Sequence, residues 1–450
     1  MARLFGTDGV RGVANTELTP EMAMALGKAA TLILTEDKKR PVFIIGKDTR
    51  ISGDMLEDAL SAGILSMGGD VIKAGVIPTP AIAYLVRELG ADAGVVISAS
   101  HNPFEYNGIK FFNGAGFKLD DAVEDRIAEY AEGKKEFPQG CAGAEIGRIR
   151  TPEKPPVETY AKFVESCAGG VRLDGVKLVL DCANGASYVA AESIFKRLGA
   201  EVAVISDKPD GININDKCGS THPERLCEAV KENHADMGLA FDGDADRLIA
   251  VDEKGTVVDG DAVIGICAKL LKEEGHLREN RVAVTIMSNL GFHKYAQNLG
   301  IDVDVTGVGD RYVLESMLKT GCVIGGEQSG HIIFLEHSTT GDGMIAALQL
   351  VRAYLKAGKP LSQMAAEMVF YPQVLVNAKV KNENKYNYME NKDVADAINA
   401  LEAQMADEGR VVIRPSGTEP VVRVMLEGSD TEKIEPLARN LAALIEEKLS

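Results

Sequence analysis

The stretch that decides the fold is Asp92-Ala93-Gly94-Val95-Val96-Ile97, followed at once by Ser98-Ala99-Ser100-His101-Asn102-Pro103. A short apolar run that ends in a polar turn predicts a buried strand. Two hydroxyls and an imidazole therefore follow a strand end, where Pro103 cannot continue a hydrogen-bonded ladder. A serine presented in this way could be a nucleophile or a phosphate carrier. It could equally belong to a polar connection that only satisfies its own backbone.

The same arrangement of strands, helix and polar loop recurs along the chain. The first copy spans residues 41–97, the second residues 176–241 and the third residues 282–325. The second ends in Asp242-Gly243-Asp244-Ala245-Asp246-Arg247 and the third in Gly326-Glu327-Gln328-Ser329-Gly330-His331. This alternation predicts largely parallel sheets covered by helices. In such sheets ligands bind beyond the carboxyl ends of the strands, where all three loops fall.

The chain from about Tyr371 onward has a different pattern. Residues 410–414 and 421–426 predict two strands around Pro415-Ser416-Gly417-Thr418-Glu419-Pro420, and leucines at core spacing predict a closing helix. We therefore predict an α/β protein of three similar mixed α/β domains and a smaller C-terminal α+β domain. The expected domain boundaries are 1–152, 153–253, 254–369 and 370–450. In this order the domains carry the serine loop (residues 98–103), the acidic loop (242–247), the sugar-type loop (326–331) and the phosphate-type loop (414–420).

Composition and charge exclude several classes of protein. The 450 residues are 45% apolar and 26% charged, and the net charge of −18 argues against a binder of nucleic acid or of anionic membranes. No apolar run approaches the roughly 18 residues of a membrane span, and the first residues lack the apolar core of a signal peptide. The seven cysteines include no CxxC pair, so we expect a reduced, cytoplasmic protein.

Asp242, Asp244 and Asp246 form the most acidic of the loops. Three carboxylates this close repel one another unless a cation neutralises them, and hard oxygen ligands suit Mg²⁺. A solvated acidic turn is the alternative. An EF-hand fits poorly, because its twelfth position, Glu253, follows an apolar strand.

Arg414, Ser416, Gly417 and Thr418 could form a phosphate cradle, because a guanidinium, two hydroxyls and a flexible backbone converge within five residues. Arg423, on the returning strand, could close its other side. The alternative is a hairpin turn with incidental hydroxyls.

Four further residues, in three parts of the chain, are candidates. The loop containing Glu327 and Ser329 could match the hydroxyl groups of a sugar. Lys110 is either a proton shuttle, with a pKa lowered toward neutrality by burial beside a cation, or an ordinary strand-edge lysine. Arg11, in a glycine-bracketed polar segment, could reach an anion or cap a sheet edge. The whole inventory favours phosphoryl transfer, which needs positioning and charge neutralisation.

Residues 98–103, 242–247, 326–331 and 414–420 resemble, in order and in rough spacing, the four signature loops of the α-D-phosphohexomutases. The resemblance covers essentially the whole chain. It implies four domains around a central cleft and a phosphoryl group carried by Ser100 rather than Ser98.

The resemblance also implies a role for each motif residue. One Mg²⁺ per chain would be held by Asp242, Asp244, Asp246 and a phosphate oxygen on Ser100. Arg247 would neutralise the transferred group, and His101 and Lys110 would assist proton transfer. With Arg11 added, the candidate catalytic residues are Ser100, His101, Lys110, Arg247 and Arg11. The candidate substrate-binding residues are Glu327, Ser329, Arg414, Ser416, Gly417, Thr418 and Arg423.

The opening motif, the serine loop and the sugar-type loop most resemble the branch of the family that acts on glucosamine phosphates. The implied reaction interconverts the 6- and 1-phosphates of D-glucosamine through phosphoserine, with glucosamine 1,6-bisphosphate as intermediate and activator. It would supply amino sugar for UDP-N-acetylglucosamine and cell-wall synthesis. The expected partner is a small hexosamine phosphate. Neither nucleic acid nor a membrane is expected as a partner, and the chain could form a homodimer. A mannose or glucose phosphate mutase and a non-catalytic sugar-phosphate binder remain alternatives.

Overall fold

The first β-sheet is mixed, with a parallel centre and an antiparallel edge. In the computed structural model it has the order β1-β5-β4-β2-β3-β6. Its strands are β1 (Val10–Val13), β2 (Val42–Lys47), β3 (Asp70–Val76), β4 (Ala93–Ile97), β5 (Tyr106–Asn113) and β6 (Ile149–Arg150). Its helices are α1 (Pro20–Leu34), α2 (Gly53–Ser66), α3 (Thr79–Glu88) and α4 (Asp121–Ala131). Strand β2 pairs in parallel with β3 and β4, whereas β5 runs antiparallel to β4 and β1.

Residue alternation explains how this sheet builds its core. Phe43 and Ile45 on β2, and Val95 and Ile97 on β4, belong to one buried cluster because every second side chain of a strand shares a face. Leu60 of α2 is in the same cluster. Strand β4 is buried along its whole length, so its carboxyl end, where the serine loop starts, is fixed on both faces.

The second sheet repeats this plan in the order β11-β10-β9-β7-β8. Its strands are β7 (Lys177–Asp181), β8 (Glu201–Ile205), β9 (Met237–Phe241), β10 (Leu248–Asp252) and β11 (Val257–Val258). The helices in this part of the chain are α5 (Pro156–Ser166), α6 (Ala191–Leu198) and α7 (Glu224–Glu232). Strand β9 is parallel to β7, and β10 returns antiparallel beside it.

The third sheet has the order β13-β12-β14-β15. Its strands are β12 (Arg281–Thr285), β13 (Asp302–Thr306), β14 (Ile324–Gly326) and β15 (Ile332–Phe334). The helices in this part of the chain are α8 (Gly260–Glu273), α9 (Leu290–Asn298), α10 (Asp310–Thr320), α11 (Gly343–Ala357) and α12 (Leu361–Ala365). Again the strand before the loop, β14, is parallel to β12, and β15 returns antiparallel.

The last sheet is antiparallel throughout, in the order β16-β18-β17. Its elements are β16 (Gln373–Lys379), α13 (Lys392–Met405), β17 (Gly409–Pro415), β18 (Val421–Gly428) and α14 (Thr431–Leu449). As the alternation predicted, Val422, Val424 and Leu426 are fully buried, and Arg423 projects to the other face with its side chain 28% exposed. Short 3₁₀ turns lie at Gly143–Glu145, Ala186–Val189, Arg278–Asn280 and Tyr388–Glu390.

The structure describes residues 3–6, 8–35, 38, 40–406, 408–416 and 419–450. The chain divides into two compact units, Met1–Thr285 with Asp304–Ala366 and Ile286–Val303 with Glu367–Ser450. Segment 286–303 thus groups with the C-terminal residues, and the four domain boundaries given above remain predictions. All seven cysteines are free, and none of the described helices is long and apolar enough to cross a membrane.

The predicted fold class of mixed α/β domains is confirmed. Each of the three loops joins two neighbouring antiparallel strands, β4 to β5, β9 to β10 and β14 to β15, so each sheet combines parallel pairs with an antiparallel return strand. Strand β16, one of the two edge strands of the C-terminal sheet, was not predicted from the sequence.

Candidate active site

The serine loop begins where β4 ends, and its two serines differ in their surroundings. Ser98 is fully buried: its hydroxyl donates to Asp48 Oδ2 at 2.6 Å and accepts the Ser100 N–H at 2.9 Å. Ser100 has the left-handed φ of 53°, an uncommon conformation for a residue with a Cβ. Its hydroxyl donates to Asp242 Oδ2 at 2.6 Å. The geometry therefore supports Ser98 as a structural group and Ser100 as the reactive one.

A buried ion pair supports the backbone of the serine loop. The Arg50 guanidinium contacts Asp48 Oδ2 at 2.8 Å, and both side chains have no exposed surface. Arg50 also donates to four backbone carbonyl oxygens of the loop, those of Ser100, Asn102, Pro103 and Tyr106. The side chain of Asn215, which lies between β8 and α7, donates to the Ser100 carbonyl at 2.9 Å. These contacts fix the backbone that presents the Ser100 hydroxyl.

The acidic loop brings Asp242, Asp244 and Asp246 together in the buried interior. One carboxylate oxygen from each lies within 4.8 Å of the others. Burial, together with the charges of Asp246 and Asp244, raises the pKa of Asp242 well above its ordinary value. Although burial raises the pKa of Asp244 too, the Lys110 ammonium and the Thr79 hydroxyl hold it below the ordinary value.

The same carboxylates have the donor set that a divalent cation needs. Asp244 Oδ1 and Asp246 Oδ1 are buried and have no hydrogen-bond partner among the described residues. Buried acceptors are normally satisfied, so two such atoms beside a third carboxylate fit a hard cation such as Mg²⁺.

Lys110, on β5, is almost fully buried, and its surroundings do not give the lowered pKa that the proton-shuttle alternative assumed. Its Nζ lies 2.9 Å from Asp244 Oδ2 and 2.7 Å from Asp8 Oδ2. Burial lowers the pKa of Lys110, but the carboxylates of Asp244 and Asp8 raise it by more, so the pKa lies above the ordinary value. The expected cation neighbour is outweighed by two anions, and Lys110 stays charged.

His101 is the opposite case. Its Nδ1 lies 3.4 Å from the Ser100 hydroxyl, and burial, with the nearby Arg247 and Arg11, lowers the pKa of His101 to about 4. Arg11 pairs with Asp8, and the Arg247 Nε lies 3.9 Å from Asp246 Oδ1. The imidazole is therefore neutral near pH 7, because burial and the two guanidinium groups disfavour its protonated form.

The sugar-type loop joins the acidic loop. Leu248 N–H donates to the Gly330 carbonyl at 2.9 Å, and Arg247 forms an antiparallel bridge with His331. Gly330 has a φ of 92°, and a Cβ there would lie 2.2 Å from the Leu248 carbonyl, so only glycine allows this approach. Glu327 is half-buried and accepts the Gly309 N–H at 3.0 Å, while Ser329 is exposed.

The phosphate-type loop lies in the C-terminal unit. Arg414 on β17 and Arg423 on β18 are directly opposite in the antiparallel register. Ser416 is buried, and its hydroxyl accepts the Glu419 N–H at 3.2 Å. Gly417 and Thr418 lie outside the described residues. Like charges placed opposite each other repel, so an anion between the two arginines would stabilise the pair.

Sequence reasoning missed several residues that contact the site. Asp48 and Arg50 follow β2 at a strand end, the signal that identified the other loops, and Asp310 follows β13 in the same way. Asp8 lies in the polar segment that drew attention to Arg11. Thr79, which donates to Asp244 Oδ2 at 2.6 Å, and Lys118, which contacts Asp8 and Asp310, give no recognisable signal in the sequence.

The Ser100 hydroxyl thus lies beside an acidic cluster, buried cations and a polar loop, an arrangement that suits an intramolecular phosphotransferase. Four models of one family match the chain in order. They describe phosphoglucomutase/phosphomannomutase alpha/beta/alpha domain I (residues 2–137), domain II (158–255), domain III (259–371) and the C-terminal domain (375–444). The chain belongs to the phosphoglucomutase/phosphomannomutase family, which confirms the resemblance seen in the four loops.

Individual relatives give a more specific similarity than the family models do. A phosphoglucosamine mutase of Thermoanaerobacter sp. (strain X514) is 57% identical over 450 residues, covering 100% of both chains. Among solved structures, a family protein from Burkholderia thailandensis superimposes with a TM-score of 0.81 at 22% identity, covering 100% of this chain and 99% of that one. Aspergillus fumigatus N-acetylphosphoglucosamine mutase, solved with GlcNAc-6P and magnesium, gives 0.72 at 17% identity, covering 99% and 96%. These two structures show the shared fold.

Proposed function

We propose that this protein interconverts D-glucosamine 6-phosphate and D-glucosamine 1-phosphate, with Ser100 as the phosphoryl carrier and glucosamine 1,6-bisphosphate as the intermediate. The observation that carries the proposal is the contrast between the two serines of the loop. Ser98 is committed to Asp48, whereas Ser100 points at Asp242 in the acidic cluster. The full-length relative at 57% identity, named phosphoglucosamine mutase, supports the choice of an amino sugar.

Asp242, Asp244 and Asp246, with a phosphate oxygen on Ser100, would hold one Mg²⁺ per chain. When bound, the ion supplies positive charge that offsets the charge of the phosphoryl oxygens. The buried Oδ1 atoms of Asp244 and Asp246, which have no hydrogen-bond partner among the described residues, support this assignment. The magnesium in the Aspergillus fumigatus complex supports it as well.

The remaining side chains would act on charge and on protons. Lys110 is held charged by Asp8 and Asp244, so it stabilises negative charge during transfer. His101 is neutral, and its Nδ1 lies 3.4 Å from the Ser100 hydroxyl, so it would assist proton transfer at that oxygen. Arg247 and Arg11 would neutralise the transferred phosphoryl group.

Substrate binding would be divided between a sugar part and a phosphate part. Glu327 and Ser329 would hold the sugar hydroxyls. The distal phosphate would be bound by a set of donors on the C-terminal unit, Arg414, Ser416, Gly417, Thr418 and Arg423. Since the bisphosphate must bind with either end at Ser100, this set should recognise phosphate charge and not the sugar. The proposal includes a cytoplasmic location, tested by cell fractionation, and a homodimer, tested by sedimentation at several protein concentrations.

A coupled mutase assay tests the function. The protein, primed with the bisphosphate, is given glucosamine 6-phosphate, mannose 6-phosphate or glucose 6-phosphate, each with Mg²⁺ and with EDTA. We expect the highest kcat/KM for glucosamine 6-phosphate and loss of turnover with EDTA. A preference for mannose or glucose phosphate would assign the protein to that branch. Binding without turnover of any substrate would make it a sugar-phosphate-binding protein.

A further inference from the structure

Lys118 occupies an unusual position between two carboxylates. It lies in the segment between β5 and α4, with its side chain 16% exposed. Its Nζ is 2.6 Å from Asp8 Oδ1 and 2.5 Å from Asp310 Oδ2. None of the roles assigned above involves Lys118 or Asp310. A lysine held by two carboxylates in a largely buried place is costly to remove, because Asp310 would then lose its ammonium partner.

Through Asp8, Lys118 is connected to the residues proposed to act in phosphoryl transfer. Its partner Asp8 contacts the Lys110 Nζ at 2.7 Å through its second oxygen and also pairs with Arg11. Lys110 in turn contacts Asp244 at 2.9 Å. Asp8 thus sets the position of two cations that face the reacting phosphoryl group in the proposed function.

Through Asp310, Lys118 is connected to the sugar-type loop. Asp310 is the first residue of α10 and follows Gly309, whose N–H donates to Glu327 Oε1 at 3.0 Å. Asp310 Oδ2 also lies 3.5 Å from the His331 Nε2, at the far end of the same loop. Asp310 is therefore connected to the loop near both of its ends.

The charges along this path alternate in sign, from Asp244 through Lys110, Asp8 and Lys118 to Asp310. Despite burial, Asp310 and Asp8 raise the pKa of Lys118 above its ordinary value. The pKa of Asp310 is lowered despite its burial, chiefly by Lys118. Three ionised groups in contact give a rigid link, because each can move only by breaking a charged hydrogen bond.

We propose that Lys118 is a positioning residue, which holds the sugar-type loop at a fixed distance from the Ser100 centre by bridging Asp8 and Asp310. The proposal rests on the proposed function, since it assumes that Glu327 holds the acceptor sugar and Ser100 the phosphoryl group. Lys118 touches neither of them. Its removal should misplace the sugar acceptor while leaving the phosphoserine itself intact.

Two phosphoryl-transfer rates, to the sugar and to water, distinguish a positioning role of Lys118 from a general contribution to the stability of the fold. Phosphorylated wild type and Lys118→Met, checked by intact mass, are mixed with glucosamine 6-phosphate, and phosphoryl transfer to the sugar and to water is followed. We expect Lys118→Met to slow transfer to the sugar by about 100-fold, the size of effect that a misplacement of 1 Å produces. Transfer to water should change by less than about twofold, because water needs no positioning by the loop.

Three further variants complete the test. Lys118→Arg should regain much of the rate, because it restores a cation between the carboxylates. Lys118→Met/Asp310→Asn should regain melting temperature, because no unpaired Asp310 carboxylate remains, yet transfer to the sugar should stay slow. Lys134→Met, an exposed lysine of the same unit, should behave as wild type.

The proposal is overturned if Lys118→Met transfers to sugar at the wild-type rate. Equal losses of transfer to sugar and to water would also overturn it, as would recovery of transfer along with melting temperature in the double variant. Failure of the proposed function would look different, since wild-type phosphoenzyme would then transfer nothing to glucosamine 6-phosphate.

Discussion

Replacing Arg50 with Met removes the group on which the serine loop rests. The guanidinium is fully buried, pairs with the equally buried Asp48 and donates to four loop carbonyls. Met fills a similar volume but leaves the Asp48 carboxylate without its partner. We expect Arg50→Met to lower the free energy of unfolding and to disorder the backbone that presents Ser100.

The magnitude follows from the burial of both partners. Breaking a fully buried ion pair by removing one member costs about 3–5 kcal/mol, because an uncompensated charge stays in the interior. The loop carbonyls lose their donors as well, although some can be reached by water once the loop loosens. Arg50→Lys keeps the charge near Asp48 but lacks the forked set of donors, so its loss should be smaller.

Urea unfolding followed by circular dichroism measures this change, since the chain has no tryptophan to report by fluorescence. Hydrogen exchange of the amides in residues 98–106 locates the loss in the serine loop. The matched control is Arg278→Met, which removes an arginine of the same unit from an exposed pair with Glu336. That variant should unfold as wild type.

A loss below about 1 kcal/mol for Arg50→Met would refute the reasoning, because a surface ion pair is worth that much. Unchanged hydrogen exchange in the serine loop would refute it equally. Either result would mean that Arg50 does not support the loop.

Three other predictions concern different parts of the molecule. Gly243→Ala should lower kcat in the mutase assay, because the new Cβ would lie 2.5 Å from the Ser100 carbonyl and must displace the serine loop. Tyr160→Phe should lower the free energy of unfolding by about 1–3 kcal/mol in urea, because the hydroxyl that donates to the buried Asp342 at 2.9 Å is lost. Burial and the nearby Arg410 lower the pKa of His293 to about 4, from 6.5. The unfolded chain therefore takes up this proton first, and His293 costs no stability above pH 6.5. Stability falls as the pH drops through this window, and the loss is complete below about pH 4. His293→Gln should flatten that part of the stability profile of the C-terminal unit, measured by urea unfolding at several pH values.

The sequence was most informative where chemistry depends on neighbours along the chain. Ser98–Pro103, the three aspartates and the sugar-type loop each follow a buried strand, so their positions at strand ends could be predicted. What could not be predicted was that each loop joins antiparallel strands. The helix-and-strand alternation before each loop predicts parallel pairing, and the apolar strand that follows the acidic loop carries no signal for the direction of its pairing.

The contacts that set charge were out of reach for a physical reason. Lys118 meets Asp8 across 110 positions and Asp310 across 192 positions. No local pattern encodes such a meeting. For the same reason the sequence could not decide between the two alternatives for Lys110, because the two carboxylates that hold its proton come from Asp8 and Asp244, far from it in sequence.

The most direct test of the account is the intact mass of the protein after incubation with glucosamine 1,6-bisphosphate, compared between wild type, Ser98→Ala and Ser100→Ala. We predict a gain of about 80 Da, one phosphoryl group, in wild type and in Ser98→Ala where it folds, and no gain in Ser100→Ala. Ser100→Ala should also fail to convert glucosamine 6-phosphate. A phosphorylated Ser100→Ala, or one that converts substrate at the wild-type rate, would contradict the claim that Ser100 carries the phosphoryl group.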